Sequence, residues 1–476
     1  MCMTAIRLTE SRLDSGSLKL LAVQCQRSSC RRSHATACCA SLYLLLTAFS
    51  LVPAAGGGQI TIQADVKQVL VPVVVTDKAG HHIAGMRASD FHVAEDSVPQ
   101  DVVSLSTSIL PNELVTAQNG GSLATGKPVS ALDPSPPPSS SPKRTYLICI
   151  DTLHSSFSNF KNVRRALERF FDKEKAGDSQ YALIALGRQI KVIQDSTRDP
   201  AAVLAAIASK NFIGAITDTE ALKLTHDIQE FTYFMRDVYC DKCACDAFKT
   251  PDGPGCPIAQ SRLQGYLLRS SERTRILDEN FYQGLEQIVN ATSSMPTTRS
   301  ILLISDGFNR FPGRELYSVL SGFAPRDRRF SFNPRDTNDR LQNILKIAIN
   351  KDIRFYTIDS RGLYTGAELG GSTFDASTGK GAFIPQTVDF NRMTVAHENT
   401  DALASLARET GGLFFENNND LSKGIERAFA DGREYYVLAY VPKNKSEDGT
   451  FRHIAVEVSN KKWHVNAKAG YWAPKR

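Results

Sequence analysis

The sequence predicts an α/β protein with a doubly wound, mainly parallel sheet and a flanking β-sandwich built from its N- and C-terminal segments. An apolar run over residues 146–150 ends on Asp151, which is typical of a strand buried on both faces of a parallel sheet. Residues 299–307 repeat this design, with Asp306 after the apolar run. From Arg144 onward strands and helices alternate, and this alternation implies a parallel sheet covered by helices on both faces.

Residues 1–58 have the features of an export signal. Three arginines, the last at position 32, precede an apolar core over 37–52, and small residues follow at 54–56. This core is short for a spanning helix, which needs ~20 residues, although an uncleaved leader that anchors the chain in a membrane is the alternative. We therefore expect an exported protein, located in the periplasm, in the outer envelope or outside the cell.

Charge argues against nucleic acid as a partner. The leader carries six basic and two acidic side chains, so its removal lowers the formal net charge from +6 to about +2. The remainder is nearly neutral and has no basic tract, and it therefore lacks the electrostatic footprint of a nucleic-acid-binding protein.

Composition divides the rest of the chain into four parts. Residues 59–110 contain about four short strands, rich in valine and separated by turns, which form part of a β-sandwich. Residues 111–143, rich in proline, serine and glycine, form a linker. The α/β domain spans 144–431 and contains a cysteine-rich insert at 238–260, and the strands of 432–476 pair with those of 59–110.

Periodicity and capping signals place the elements of the α/β domain. Ser158 begins a helix that ends before Gly177, and the strands 181–186 and 189–194 form a hairpin. Residues 362–399 show little periodicity and predict a long surface excursion. The other predicted helices are 199–209, 219–238, 261–292, 338–350, 401–408 and 420–430, and the other predicted strands are 301–305, 354–358 and 413–415.

The acids at the strand ends resemble the metal-ion-dependent adhesion site of a von Willebrand factor type A domain. That doubly wound fold uses D-x-S-x-S after its first strand, a threonine on a second loop and an aspartate after its fourth strand. The matching residues here are Asp151, Ser155, Thr217 (with Thr219 as the alternative) and Asp306. One position departs from the pattern, since Leu153 stands where the family has a serine that ligates the metal. Together with the flanking segments, the match resembles a bacterial group of exported von Willebrand factor A-related proteins.

The resemblance implies a divalent cation held directly by Asp151 and Ser155, with Thr217 and Asp306 as direct or water-mediated ligands. Such an oxygen-only site suits Mg²⁺, for which Mn²⁺ can substitute. Ser156 lies at the same strand end and offers a further hydroxyl oxygen there. An acidic residue of a protein partner would complete the coordination. Water must replace the hydroxyl missing at position 153, so we expect weak metal binding.

Two functions follow from these residues. The first is adhesion or protein binding at a degenerate metal site, and the second is a metal-free structural scaffold of the cell envelope. We expect His154 to be a surface histidine, because imidazole does not suit a Mg²⁺ site. A hydrolase is the least favoured reading, because the sequence contains no G-x-S-x-G, H-E-x-x-H or P-loop motif.

Four cysteines, Cys240, Cys243, Cys245 and Cys256, cluster in the insert. In an exported chain they predict two disulfides, which would hold together a segment that has no core of its own. Zinc is the alternative, although only the first two cysteines have C-x-x-C spacing. Spacing leaves the pairing open, while Cys149, in the central strand, is expected to be an inert buried thiol.

Overall fold

The computed structural model describes residues 68–107, 144–217, 221–245, 250–308, 310–331, 338–363 and 386–475. The predicted leader, the predicted linker and Thr219 lie outside these residues. The described strands are β1 (Val69–Thr76), β2 (Phe91–Glu95), β3 (Val98–Gln100), β4 (Val102–Thr107), β5 (Arg144–Asp151), β6 (Ser179–Leu186), β7 (Ile190–Thr197), β8 (Thr298–Ser305), β9 (Ile353–Asp359), β10 (Phe414–Phe415), β11 (Tyr436–Tyr440), β12 (Phe451–Val458), β13 (His464–Ala467) and β14 (Gly470–Trp472).

The described α-helices are α1 (Phe157–Lys173), α2 (Pro200–Ala208), α3 (Lys210–Thr217), α4 (Ala221–Phe234), α5 (Cys240–Cys243), α6 (Cys256–Ser293), α7 (Arg314–Phe323), α8 (Asn338–Asn350), α9 (Gln386–Thr410) and α10 (Leu421–Arg433). A π-helical turn, Met235–Tyr239, links α4 to α5. Within the described ranges no single helix is both long and apolar enough to cross a membrane, and the bent pair α2 and α3 meets that test only when the two helices are counted together.

The α/β domain is built on a six-stranded sheet with the order β10-β9-β8-β5-β6-β7. All neighbouring strands are parallel except β6 and β7, which form the predicted antiparallel hairpin. All eight residues of β5 are buried, as expected for the central strand of such a sheet. The predicted fold class is confirmed.

Helices cover both faces of the sheet. On one face α1, α2, α3 and α10 enclose a core that includes Phe160, Leu167 and Ile425. On the other face α6, α8 and α9 enclose a second core that includes Phe281, Leu345 and Leu403. Cys149 lies in this second core as a buried free thiol, as predicted.

Three helices differ from the sequence prediction. The sequence pattern does not predict α3 or α7. Helix α9 begins at Gln386, so the predicted irregular excursion is wrong over 386–399. Apolar periodicity is weak along α9, and its packing against α7 and β9 supplies the stability that its sequence pattern does not show.

The terminal segments form two four-stranded antiparallel sheets, β13-β1-β11-β4 and β14-β12-β2-β3. Strand β1 pairs with β11, and β2 pairs with β12, so both ends of the chain contribute to each sheet. Val73, Phe91 and Leu438 belong to the core between the sheets. This arrangement is the predicted shared β-sandwich.

The sandwich packs against the amino ends of the parallel strands. Lys468 Nζ lies 2.6 Å from Oδ1 of Asp352, which precedes β9. The guanidinium of Arg354, the second residue of that strand, lies over the Tyr435 ring, 4.2 Å from its centre. The sandwich therefore occupies one edge of the sheet, and the site described below lies at the other.

Contrary to the expectation of a segment without a core, the insert between α3 and β8 packs with α7 around an apolar core, here called the insert cluster. It is formed by α4, α5, the first half of α6 and α7, and includes Phe231, Leu263 and Val319. Disulfides join Cys240 to Cys245 and Cys243 to Cys256, so the predicted two bonds form and the pairing is settled. The second bond is buried at the start of α6.

Candidate functional site

The strand order reverses direction between β5 and β8. From β5 the chain adds β6 and β7 on one side, then returns to add β8, β9 and β10 on the other. In doubly wound sheets the crevice outside the carboxyl ends of the strands at this switch point is where ligands bind. Asp151 ends β5 and Asp306 follows β8, so the two predicted acids lie on either side of the crevice.

Asp151 is fully buried, and each of its two carboxylate oxygens accepts two hydrogen bonds. The amides of Leu153 and His154 donate to Oδ1 at 2.9 and 3.1 Å. The ring Nδ1 of His154 lies 2.9 Å from Oδ2, and the Ser305 hydroxyl donates to the same oxygen at 2.7 Å. The tight turn after β5 thus donates its amides and the His154 ring to the carboxylate of Asp151.

His154 is buried between two acids, so the expectation of a surface histidine is wrong. Its side chain is 6% exposed, and its Nε2 lies 2.7 Å from Oδ1 of Asp278 on α6. The ring packs edge-on against Phe281, at 4.9 Å between centres. Burial lowers the pKa of His154, but the charges and hydrogen bonds of Asp151 and Asp278 outweigh it and raise the pKa to about 10. The ring is therefore a cation at neutral pH.

Asp306 lies on the open side of the crevice and is partly buried. Its Oδ2 accepts from the Ser156 amide at 2.9 Å and from Asn159 Nδ2 at 2.8 Å, while the Ser360 hydroxyl donates to Oδ1. Burial raises the pKa of Asp306 to about 6, although these donors and the charge of Arg361 oppose the rise. We call Asp306, Ser156, Asn159 and Ser360 the edge cluster.

Gly307 fixes the backbone beside the edge cluster. Its φ of +103° favours glycine, and a Cβ there would lie 3.1 Å from the carbonyl carbon and oxygen of Asn399. The next amide, that of Phe308, donates to the same carbonyl at 3.3 Å. The loop after β8 is thereby held against α9.

The other two predicted ligands have different positions. Ser155 is buried and its Oγ accepts from the Asp306 amide at 3.0 Å, so it joins the loops after β5 and β8. Thr217 lies exposed at the end of α3, where its hydroxyl donates to the carbonyls of Ile213 and Gly214. The network around Asp151 and Asp306 therefore includes Ser155 but not Thr217.

These positions do not present the four predicted oxygens to one cation. The Asp151 oxygens are already used by two amides, a hydroxyl and a charged imidazole, which repels a metal ion. Leu153, at the departure from the motif, is 2% exposed and belongs to the core under α6. His154 places its ring 2.9 Å from Asp151, the acid at which the motif holds its metal.

Sequence reasoning missed the residues that complete this network, among which Asp278 matters most. A signal was present: Leu277, Phe281 and Leu285 form a buried helical stripe, and Asp278 is a charged residue on that stripe. Asn159 and Ser360 carried no comparable signal, because they are polar residues in ordinary helix-start and loop positions.

No protein-family model matches the chain, and no curated protein matches it. Similar solved structures include the conserved hypothetical protein BatB from Bacteroides thetaiotaomicron, at 10% identity over 60% of this chain and 98% of that chain, with a TM-score of 0.26. Another is the vWF domain of the type V pili tip protein Mfa5 from Porphyromonas gingivalis, at 11% identity over 65% and 100% of the two chains and a TM-score of 0.26.

A third is proximal thread matrix protein 1 from the mussel byssus with a zinc-occupied MIDAS motif, at 10% identity over 63% of this chain and 48% of that chain, with a TM-score of 0.26. One of these structures is thus described as a vWF domain and another as carrying a MIDAS motif.

Proposed function

We propose that this chain is a protein-binding module whose partner docks on the edge cluster, and that binding does not require a metal ion at Asp151. The supporting observation is the position of Asp306 at the switch point of the sheet, where ligands of doubly wound folds bind. A partly buried acid with a raised pKa costs the folded state stability, and such costs concentrate at functional sites.

The buried network behind Asp306 supplies a rigid base for this surface. His154 joins the loop after β5 to α6, and Ser155 joins that loop to the one after β8. Binding surfaces held by such networks lose little conformational entropy when a partner docks. Mg²⁺ and Mn²⁺, which the sequence resemblance implies, would have to displace the charged ring of His154 to reach Asp151.

Catalysis is not part of the proposal. A hydrolase needs a base that can take the proton of its nucleophile, and both ring nitrogens of His154 face carboxylates. Its raised pKa keeps the ring protonated, so it cannot serve as a base for Ser155.

We further propose that the module works outside the reducing cytoplasm. The disulfides Cys240–Cys245 and Cys243–Cys256 support this, because such bonds persist in oxidising compartments. Export and an envelope location, which the leader predicts, fit this chemistry.

Site-specific photo-crosslinking in the organism that makes the protein tests the proposal. A photoreactive residue at Ser158, exposed at the start of α1 beside the edge cluster, should give one discrete adduct. The same residue at Lys173, exposed at the other end of α1, is the matched control and should give none. The partner, identified by mass spectrometry and purified, should bind the wild type and not Asp306→Ala.

Two results would overturn the proposal. Equal adducts from Ser158 and Lys173 would show that the edge cluster is not a specific docking surface. An adduct that disappears with a chelator and returns with Mg²⁺ would instead establish the metal-dependent adhesion site. A melting curve for Asp306→Ala ensures that loss of binding is not loss of fold.

A further inference from the structure

A cleft of about 520 Å³ lies at the same edge of the sheet, on the α6 side. One wall is the turn after β6, which contributes Arg188. The other wall is one face of α6, where Arg269, Arg273 and Ile276 follow one another at helical spacing. Leu277, which also lines the cleft, is the residue before Asp278, so the cleft adjoins the network around His154.

Arginines outnumber acids among the residues that line the cleft. Three arginines line it with a single acid, Glu272, which pairs at 2.6 Å with Arg275, a residue that does not line the cleft. Arg273 pairs at 2.7 Å with Asp227 of α4 and so is held in place. Arg269 is exposed and forms no ion pair with any residue in the described ranges.

Apolar side chains line the cleft together with these arginines. Ile276 is 48% exposed, and Leu277 also lines the cleft. Guanidinium groups suit carboxylates, which they bind through two parallel hydrogen bonds. A ligand that fits both features carries carboxylates and an apolar side chain.

We propose that this cleft binds an acidic segment of the partner protein, in which carboxylates contact Arg188 and Arg269 and an apolar side chain packs on Ile276. The inference rests on the proposed function, since the cleft and the edge cluster share one edge of the sheet. A densely charged phosphate polymer fits less well, because it has no apolar group to cover Ile276.

Fluorescence anisotropy with the intact folded chain tests this. The probes are a labelled peptide of sequence Glu-Glu-Leu-Glu-Glu and the same peptide with glutamine in place of glutamate. We expect the glutamate peptide to bind. Its Kd should increase at least about tenfold in Arg269→Glu and in Arg188→Glu, because each substitution removes a desolvated, charge-assisted contact. Lys173→Glu, the same charge change on an exposed residue at the other edge, should leave the Kd unchanged.

Four results would overturn the inference. Equal binding of the glutamine peptide would remove the role of the arginines, and an equal weakening in Lys173→Glu would reduce the effect to overall charge. Displacement of the peptide by inorganic phosphate at lower concentration than by free glutamate would identify a phosphate site instead. If Arg269→Glu leaves partner binding intact while Asp306→Ala abolishes it, only the cleft assignment fails, and the proposed function stands.

Discussion

The Nε2 atom of His154 lies 2.7 Å from Oδ1 of Asp278, which joins the loop after β5 to the long helix α6. The two residues are 124 positions apart in the sequence. Because the other ring nitrogen faces Asp151, the imidazole is a buried cation between two acids. Buried ionic groups of this kind add little net stability to the folded state when they are intact, but removing one member destabilises it strongly.

The first prediction follows from that asymmetry. His154→Ala leaves Asp151 and Asp278 buried without their shared cation, so we expect the free energy of unfolding at neutral pH to fall by about 3–5 kcal/mol. His226→Ala is the matched control, since that histidine is 66% exposed, and it should change stability by less than about 0.5 kcal/mol. Urea denaturation measures both, and similar values for the two variants would contradict the buried-cation interpretation.

Stability should also depend on pH through the same ring. The folded pKa of His154, about 10, lies above its ordinary value of 6.5, so its contribution is complete below about pH 6.5 and is lost as the pH rises through 10. The titratable groups that face the ring are Asp151 and Asp278. We expect the unfolding free energy of the wild type to fall over this range, whereas His154→Ala should lack this component. Parallel curves in urea titrations at successive pH values would exclude it.

Asp306 is expected to cost stability when it is ionised. Its folded pKa of about 6 lies above the ordinary 3.8, so its contribution is favourable below pH 3.8 and is lost as the pH rises through 6. Asp306→Asn can keep its hydrogen bonds and should therefore stabilise the protein at pH 8, on the order of 1 kcal/mol, and not at pH 4. Asp359→Asn is the control and should destabilise, because Asp359 pairs with Arg361 at 2.7 Å. Thermal melting at both pH values shows whether Asp306→Asn raises or lowers the stability of the protein.

The sequence predicted the parts of the structure that depend on local pattern. Apolar runs located β5 and β8, the acids after them lie at the carboxyl edge, and the clustered cysteines form two bonds. These features follow from burial and turn chemistry within a few residues of each position.

The sequence could not predict which groups meet across the crevice. Asp278 reaches His154 only because α6 crosses the face of the sheet beside β5, and that packing is a property of the whole fold. The family motif predicts Thr217 and a metal ion at the site, whereas Thr217 bonds within its own helix and His154, a predicted surface residue, contacts Asp151. A charged residue on the buried stripe of α6 was the signal that could have corrected this.

Metal titration provides the fourth prediction. We expect millimolar Mg²⁺ or Mn²⁺ to leave the melting temperature of the wild type unchanged, because a metal at Asp151 would have to displace the ring of His154 from that acid. From the motif alone, Leu153→Ser should restore a ligand. The structure predicts instead a loss of about 2–5 kcal/mol, because the substitution empties part of a packed core without opening Asp151. A metal-dependent rise in melting temperature that Asp306→Ala removes would reverse this expectation.

The last prediction concerns the insert cluster, whose two disulfides should differ in their contribution to stability. Cys243–Cys256 closes a loop with a sequence separation of 13, and its loss should cost about 3 kcal/mol by chain entropy, whereas Cys240–Cys245, with a separation of 5, constrains a smaller loop and should cost less. The insert cluster is separate from the two cores that cover the sheet. Hydrogen exchange in α4 and the first half of α6 should therefore be faster in the double variant Cys243→Ala, Cys256→Ala than in the wild type. Amides of β5 and β8 should remain protected, since their core lies elsewhere. Equal loss of protection in the sheet would show that the insert and the α/β domain unfold as one unit.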